Sequence, residues 1–260
     1  MKNPIFNNSA KFYDLFYKDK NYKKEVKFIN KFFPLKIKRL NIVDLGVGSG
    51  NHFIEILKNG HNVDGVEISQ SMINLLINKV EKQKLKKKFK LFKKDIAFFK
   101  GKKEKYDIAI SLFHVINYLK NYKELKAFFL NNFHHLKENG ILIFDCWNHE
   151  LVKKGLKKNS RRVIKLKNYS VIRNGSIKLG KQNKIKIKYK FEKIKNNNVI
   201  ENFNEVHNLT SFAKYQIIKA SYQHFNLLNY CIWFDKLRKP DLKQFSCVFI
   251  LQKKSTRKVK

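Results

Sequence analysis

Proline is nearly missing from these 260 residues, with three in all, and so are cysteine (three), methionine (two) and tryptophan (two). Cys146, Cys231 and Cys247 are scattered, odd in number and without metal-ligand spacing. Neither a disulfide framework nor a metal site is expected from them; reduced thiols in a cytoplasmic protein are. No apolar run approaches the ~20 residues that span a bilayer, and MKNPIFNNSAKFYD lacks an apolar signal region, so secretion is not expected. Acids are scarce, 20 against 57 lysines and arginines, giving a net charge of +37. Only six of the basic residues are arginine, the side chain that sequence-reading proteins favour for bidentate contacts. The joint excess of Lys, Asn, Ile, Phe and Tyr is what AT-rich codons produce. The runs EKQKLKKKFKLFKK and QKKSTRKVK read as solvated surface and a frayed terminus. An acidic partner (a nucleotide-linked substrate, an RNA or a membrane surface) is the competing reading of this charge.

What is present concentrates in Asn41 to Glu67, NIVDLGVGSGNHFIEILKNGHNVDGVE. It reads as a buried strand, a glycine turn (Gly46, Gly48, Gly50), an amphipathic helix and a second strand ending on Glu67. That is half of a doubly wound nucleotide-binding unit, with glycines where the backbone turns sharply and lets a ligand lie against it. Glu67 falls where an acid can accept hydrogen bonds from a ribose diol. A dinucleotide site wants G-x-G-x-x-G, so that a pyrophosphate sits on the helix N-terminus. Here the third glycine comes one residue early and Asn51 takes its place.

Further segments follow in order. SQSMINLLINKV opens a helix with Met72, Leu75, Leu76 and Val80 on one face. KLFKKDI is a short strand leading to Asp95 and Ile96; YDIAIS is a buried strand delivering Leu112, Phe113, His114 and Val115. NYKELKAFFLNNFHHLKENG is an amphipathic helix with Gly140 expected at its C-cap, and ILIFDCWN is a buried strand ending on Asp145, Cys146 and Trp147. Each strand places its informative residues at its carboxyl end, the edge where open α/β sheets bind ligands.

The pattern D-x-G-x-G-x-G, led by Asp44, resembles motif I of the class I S-adenosylmethionine (SAM) methyltransferases, and the later segments resemble that family's succession. The resemblance implies an α/β, Rossmann-like seven-stranded sheet and SAM as cofactor. It places Asp44, Gly46, Val47, Gly48 and Gly50 at the amino-acid end and ribose of SAM, Glu67 on the ribose, and Ile68, Asp95 and Ile96 about the adenine, with Leu112 and Tyr17 completing the cofactor site.

One core suits a chain of this length. Residues 1–39 are expected to form an N-terminal helical cap, helical over 8–34 and stopped by Pro34, and 40–150 the SAM-binding core. Over 151–210 the rhythm changes to alternating apolar and polar residues with Asn-Gly and Asn-Asn turns, so a small antiparallel β-sheet is expected as an insert. Ile185, Ile187, Tyr189 and Phe191 share one face of a period-two strand. Residues 211–260 supply a helix and two strands, the last expected to enter the sheet antiparallel, as the family's last strand does.

YDLFYKDKNY, SLFHVINYL, FDCWN and EVHNLTSFAKYQ together resemble the nucleotide-sugar amine N-methyltransferases, which methylate amino groups of dTDP-linked deoxy sugars. The residues after FDCWN, HELVKKGLKKN, lack the small and proline residues common in those relatives, which points to a remodelled substrate loop. His114, just past the fourth strand on the ligand edge, is the expected base, against a packing role under the N-terminal helix. Tyr13 and Tyr17, four residues apart, share a helical face; Tyr13 is a catalytic candidate, the alternative being an aromatic stripe on the core. Asn117, Tyr118, Trp147 and His207 are candidates for binding the acceptor, each with a plain packing alternative.

Some classes are set aside. There is no N-P-P-Y-type segment after the fourth strand, no cysteine follows a proline, and Asp145 alone does not make a metal-dependent site. The expected function is SAM-dependent methylation of an amine or hydroxyl of a small molecule, with a nucleotide-linked sugar as the expected acceptor. An RNA methyltransferase using the lysine-rich surface, or a catalytically silent SAM-binding subunit, are the competing expectations.

Overall fold

The computed structural model describes residues 5–33, 38–85, 89–156 and 158–255. Two short helices, α1 (Ala10–Phe16) and α2 (Tyr22–Ile29), open the described chain and are followed by a 3₁₀ turn at Asn30–Phe32. The single helix expected over 8–34 is therefore broken. Asn21 begins α2 afresh, its side chain accepting from the Lys24 amide at 2.8 Å, one of the orphan donors a helix start must satisfy. The expected stop at Pro34 lies outside the described residues.

The core alternates strand and helix: β1 (Asn41–Leu45), α3 (Asn51–Lys58), β2 (Asn62–Glu67), α4 (Gln70–Lys82), β3 (Leu91–Lys93), β4 (Tyr106–Ser111), α5 (Tyr122–His135) and β5 (Leu136–Trp147). After α6 (His149–Lys154) come β6 (Asn159–Lys165), β7 (Ser170–Leu179), β8 (Lys184–Lys195) and β9 (Asn198–Thr210), which pair antiparallel in a separate sheet. α7 (Lys214–Ser221), β10 (Phe225–Cys231) and β11 (Ser246–Lys253) return to the core. The seven strands lie in the order β10-β11-β5-β4-β1-β2-β3. β11 enters antiparallel between β5 and β10, as expected, with Ile250 opposite Ile143.

The central strands are buried on both faces, as a sheet covered on both sides requires. Val43, Leu45, Ala109, Leu142 and Phe144 pack with Phe128, Phe129 and Phe249 on one side. Ile42, Ile108, Ile110, Ile141 and Ile143 pack with Phe53, Ile56 and Ile250 on the other. Each such side chain contributes ~1.5–3 kcal/mol on burial. This apolar slab fixes the carboxyl ends of β1, β2 and β4 relative to one another.

Two turn assignments change. Gly140 is not the C-cap of α5, which ends at His135 and passes directly into β5. Leu136 already pairs with Tyr106, and the register then jumps to Ile141 opposite Ile108. Residues 137–140 therefore bulge out, with Asn139 left-handed at φ 59°. Asn174-Gly175 is likewise no turn and runs through the middle of β7. Gly175 is needed there because a Cβ would lie 2.6 Å from Ser160 Oγ and 2.8 Å from the Tyr189 ring. Asn196 and Asn197, both with positive φ, do turn β8 into β9. Among the described residues no helix is long and apolar enough to cross a membrane.

Candidate functional site

β1 ends at Leu45 and the chain turns through Gly46, Gly48 and Gly50, at φ 81°, 56° and 83°, a region L side chains avoid. Gly46 and Val47 donate to the Val66 carbonyl at 2.8 and 3.0 Å, which stitches the turn to β2. The glycines differ in what surrounds them. A Cβ on Gly46 would strike Val115 at 2.4 Å and one on Gly50 would strike Leu76 at 2.6 Å, whereas one on Gly48 would meet nothing nearer than 4.0 Å. Gly46 and Gly50 are thus required by packing, and Gly48 leaves open space beside the turn.

Glu67 is turned back onto that loop. Its Oε2 accepts from the Gly48 amide at 3.0 Å and its Oε1 from the Ile68 and Ser69 amides, both at 2.9 Å. Burial pushes its carboxyl upward, although the three amides pull the other way. Asp44, 2% exposed at the end of β1, has an Oδ2 with no hydrogen-bond partner among the described residues. Burial, and then the nearby charge of Glu67, push it up to about 8. An orphaned buried carboxyl oxygen beside an open glycine turn calls for a cationic donor. Ile68, 53% exposed next to Glu67, is an apolar surface suited to an aromatic face. Asp95 follows β3, its Oδ1 accepting from the Ala97 amide at 2.9 Å; Ile96 and Leu112 are buried. These residues suit a SAM-type ligand: Asp44 would face an ammonium, Glu67 a diol and Ile68 an aromatic ring.

Sequence reasoning missed the clamp that closes this loop. Asp14 on α1 accepts from Ser49 Oγ at 2.7 Å and Asn51 Nδ2 at 3.0 Å, and pairs with Lys79 of α4 at 2.9 Å. Lys79 also reaches Asn51 Oδ1 at 2.7 Å. Burial alone would raise the Asp14 carboxyl, but Lys79, Ser49 and Asn51 hold it below its ordinary value. Phe6 lies further out, its carbonyl accepting from Ser69 Oγ at 3.1 Å.

The segment after β4 splits into two networks. His114 has a positive φ of 63°; its amide donates to Asp145 Oδ1 at 2.9 Å. Its Nε2 lies 2.5 Å from Ser246 Oγ and 3.4 Å from Asp145 Oδ2, to which Trp233 also donates. Burial lowers the His114 pKa, with Asp145 opposing. Asn117 is fully buried and its amide bridges the Thr210 carbonyl and the Trp147 amide, bracing β9 to β5. Trp147, 8% exposed, packs on Phe245.

The second network joins the N-terminal helix, the 3₁₀ turn at Val115–Tyr118 and the four-stranded sheet. Tyr13 and Tyr17 have ring centroids 4.8 Å apart, and Tyr17 meets Phe113 edge-on at 4.9 Å. Tyr118 Oη lies 2.8 Å from His207 Nδ1, whose Nε2 lies 2.8 Å from Glu205 Oε1; Ser9 donates to Glu205 Oε2 at 2.7 Å. Arg173 on β7 donates to the Tyr17 hydroxyl at 3.1 Å and lies over the rings of Phe16, Tyr17 and Tyr189. Its Nε is buried without a partner among the described residues. The structure thus brings Tyr13, Tyr17, Tyr118 and His207 together. It sets His114 and Trp147 in the neighbouring network and uses Asn117 as a brace. All three cysteines are buried and free. Among the described residues no cluster of three or more His, Cys, Asp or Glu is placed to hold a metal ion.

Residues 42–140 match the family model described as a methyltransferase domain. YqeM of Bacillus subtilis (strain 168), which carries a methyltransferase name, is 27% identical over 141 residues, 54% of this chain. The chain spans about half the length of the curated relatives it matches. A SAM-dependent methyltransferase from Clostridium acetobutylicum ATCC 824 superposes with a TM-score of 0.78 at 22% identity, covering 95% of this chain and 98% of that one. SAM-bound CalS10, an amino pentose methyltransferase from Micromonospora echinaspora, superposes with a TM-score of 0.73 at 16% identity, covering 98% and 100%. This chain carries a methyltransferase domain over residues 42–140 and has the fold of the class I SAM-dependent methyltransferases.

Proposed function

We propose that the protein is a SAM-dependent methyltransferase acting on an amino group of a small molecule, a nucleotide-linked sugar. The observation that carries this reading is the roof over the SAM turn, made by α1, the 3₁₀ turn and the four-stranded sheet. Its aromatic and hydroxyl-bearing groups, Tyr13, Tyr17, Tyr118, Tyr189 and His207, suit a polar, ring-shaped acceptor better than a polymer. Arg173, half-buried and with a buried Nε that has no partner among the described residues, suits an acceptor that carries phosphate. The similarity to an amino pentose methyltransferase supports the same acceptor class.

When bound, SAM supplies an electrophilic methyl group. The chain's own residues hold the reactants and exclude water: Asp44, the glycine turn, Glu67, Ile68 and Asp95 on the cofactor side, and the tyrosines of the roof on the acceptor side. Positioning of this kind supplies much of the acceleration in methyl transfer. His114 and Tyr13 are proposed to border the reacting nitrogen, and Tyr118 and His207 to contact the acceptor.

The test is incubation with methyl-labelled SAM and two acceptor pools, nucleotide sugars and total RNA. Label in the nucleotide-sugar pool is the expected outcome. Label in RNA, with affinity that falls steeply with salt, would overturn the reading and give the lysine-rich surface a function. S-adenosylhomocysteine from neither pool would leave only SAM binding.

A further inference from the structure

We propose that Tyr118, His207 and Glu205 form a proton relay that converts the acceptor's ammonium group to the free amine. Tyr118 touches the acceptor, while His207 and Glu205 are positioning residues that act through it. The proposal rests on the amine reading above.

Tyr118 meets two residues of β9 from 89 positions away, its Oη 2.8 Å from His207 Nδ1, while His207 Nε2 lies 2.8 Å from Glu205 Oε1 two residues before it. His207 is 3% exposed. Its ring is walled by Phe6 and Tyr189, at 5.0 and 5.2 Å between centroids. Glu205 cannot donate from its ionised form, so the imidazole proton on that side sits on Nε2, and Nδ1 is left to accept from the Tyr118 hydroxyl. Glu205 is held in turn by Ser9, on the segment leading into α1. The geometry is that of an oriented base: a carboxylate fixes an imidazole, and the imidazole faces a hydroxyl that borders the roof.

The step balances without any further reactant. The ammonium N–H bond breaks and its proton forms an O–H bond with Tyr118 Oη. The original Tyr118 proton moves to His207 Nδ1, and the resulting imidazolium is stabilised by the Glu205 carboxylate. The nitrogen keeps its electron pair, which a methyl acceptor needs. Burial, followed by Tyr17, Tyr189, Glu205 and Glu67, holds the Tyr118 hydroxyl well above its ordinary pKa. Tyr118 therefore passes a proton on and does not remain as phenolate. The same neighbours place it between the insert sheet and the ribose acid. His114, the other imidazole at this edge, has Nε2 engaged by Ser246 and Asp145, and burial disfavours its charged form.

The experiment measures kcat/KM for an amino-sugar nucleotide from pH 6 to 10 in the wild type, Tyr118→Phe and His207→Gln, with SAM affinity by calorimetry. At pH 7 each variant should lose about 10²-fold. The loss should shrink as pH rises and the amine arrives already deprotonated, with SAM affinity unchanged. A loss that is equal at every pH, or no loss, overturns the relay. Should the variants not fold, ¹⁵N-histidine NMR of the wild type decides: a neutral Nε2–H ring at His207 supports the relay, and a proton on Nδ1 at neutral pH overturns it. A wild type that methylates no amine is recognised before any variant is made; that result removes the amine reading, and the relay with it.

Discussion

Replacing Asp44 by asparagine isolates the electrostatics of the glycine turn. Asp44 is 2% exposed, its Oδ2 is unpartnered, and its carboxyl is pushed from 3.8 up to about 8 by burial and by Glu67. Each pH unit between those values costs the folded state ~1.4 kcal/mol, so the ligand-free fold is weakened by up to ~6 kcal/mol. The sign follows from linkage. Below about pH 4 both folded and unfolded chains hold the proton and nothing is lost. Between there and about pH 8 the unfolded chain ionises and the folded one does not, so the penalty grows; above that it is constant. Asp44→Asn carries no such penalty, so its stability advantage in urea melts should widen from pH 5 to 8. Ligand binding should reverse the ranking. If the ammonium of SAM faces Asp44 as proposed, it stabilises the ionised form, so the wild type should release most of a proton on binding at pH 7 and almost none above pH 9. The variant should bind ~10–100-fold more weakly at pH 8.5, the ~1.5–3 kcal/mol of a hydrogen bond to a charged group, and release no proton. Calorimetry in two buffers of different ionisation enthalpy counts the protons. A wild type that releases none, together with an Asp44→Asn variant whose stability tracks it across this range, would refute the reasoning.

Three further predictions concern neighbouring residues. Glu67→Ala should weaken SAM binding by ~2 kcal/mol or more while the chain still folds, because the ribose acceptor and the anchor of the Gly48 amide are removed together; unchanged affinity in calorimetry would sink the motif assignment. Gly46→Ala should lower stability by ~2–4 kcal/mol, combining left-handed strain with a Cβ driven into Val115. Gly48→Ala should cost only ~1 kcal/mol of strain yet weaken SAM, so equal thermal shifts for the two would contradict the different roles given to these glycines. His114→Ala should reduce turnover more than SAM affinity; equal losses, or none, would return His114 to a packing role.

The glycine turn and the acid that faces it were legible because they are local. Asp44, the three glycines and Glu67 lie within one strand-turn-helix-strand unit, and their spacing alone dictates a turn with positive φ facing the end of β2. The antiparallel last strand and the period-two insert were legible for a related reason, since alternation of apolar residues reports which face is buried. Boundaries were less so: α5 stops at His135 because Leu136 pairs with Tyr106, a contact the helical pattern of HHLKENG conceals. Asn174-Gly175 reads as a turn until Tyr189 is placed across from Gly175. The clamp of Asp14, Ser49, Asn51 and Lys79, and the chain from Tyr118 through His207 to Glu205, have no local signature. Backbone conformations and buried faces can be read from the chain alone, because they follow from each residue's own sterics and from short periods. Which distant side chains meet, as Asp14 does with Ser49 across 35 positions and Tyr118 with His207 across 89, follows from tertiary packing alone. Strand register and helix docking set those distances, and both depend on how the whole core packs.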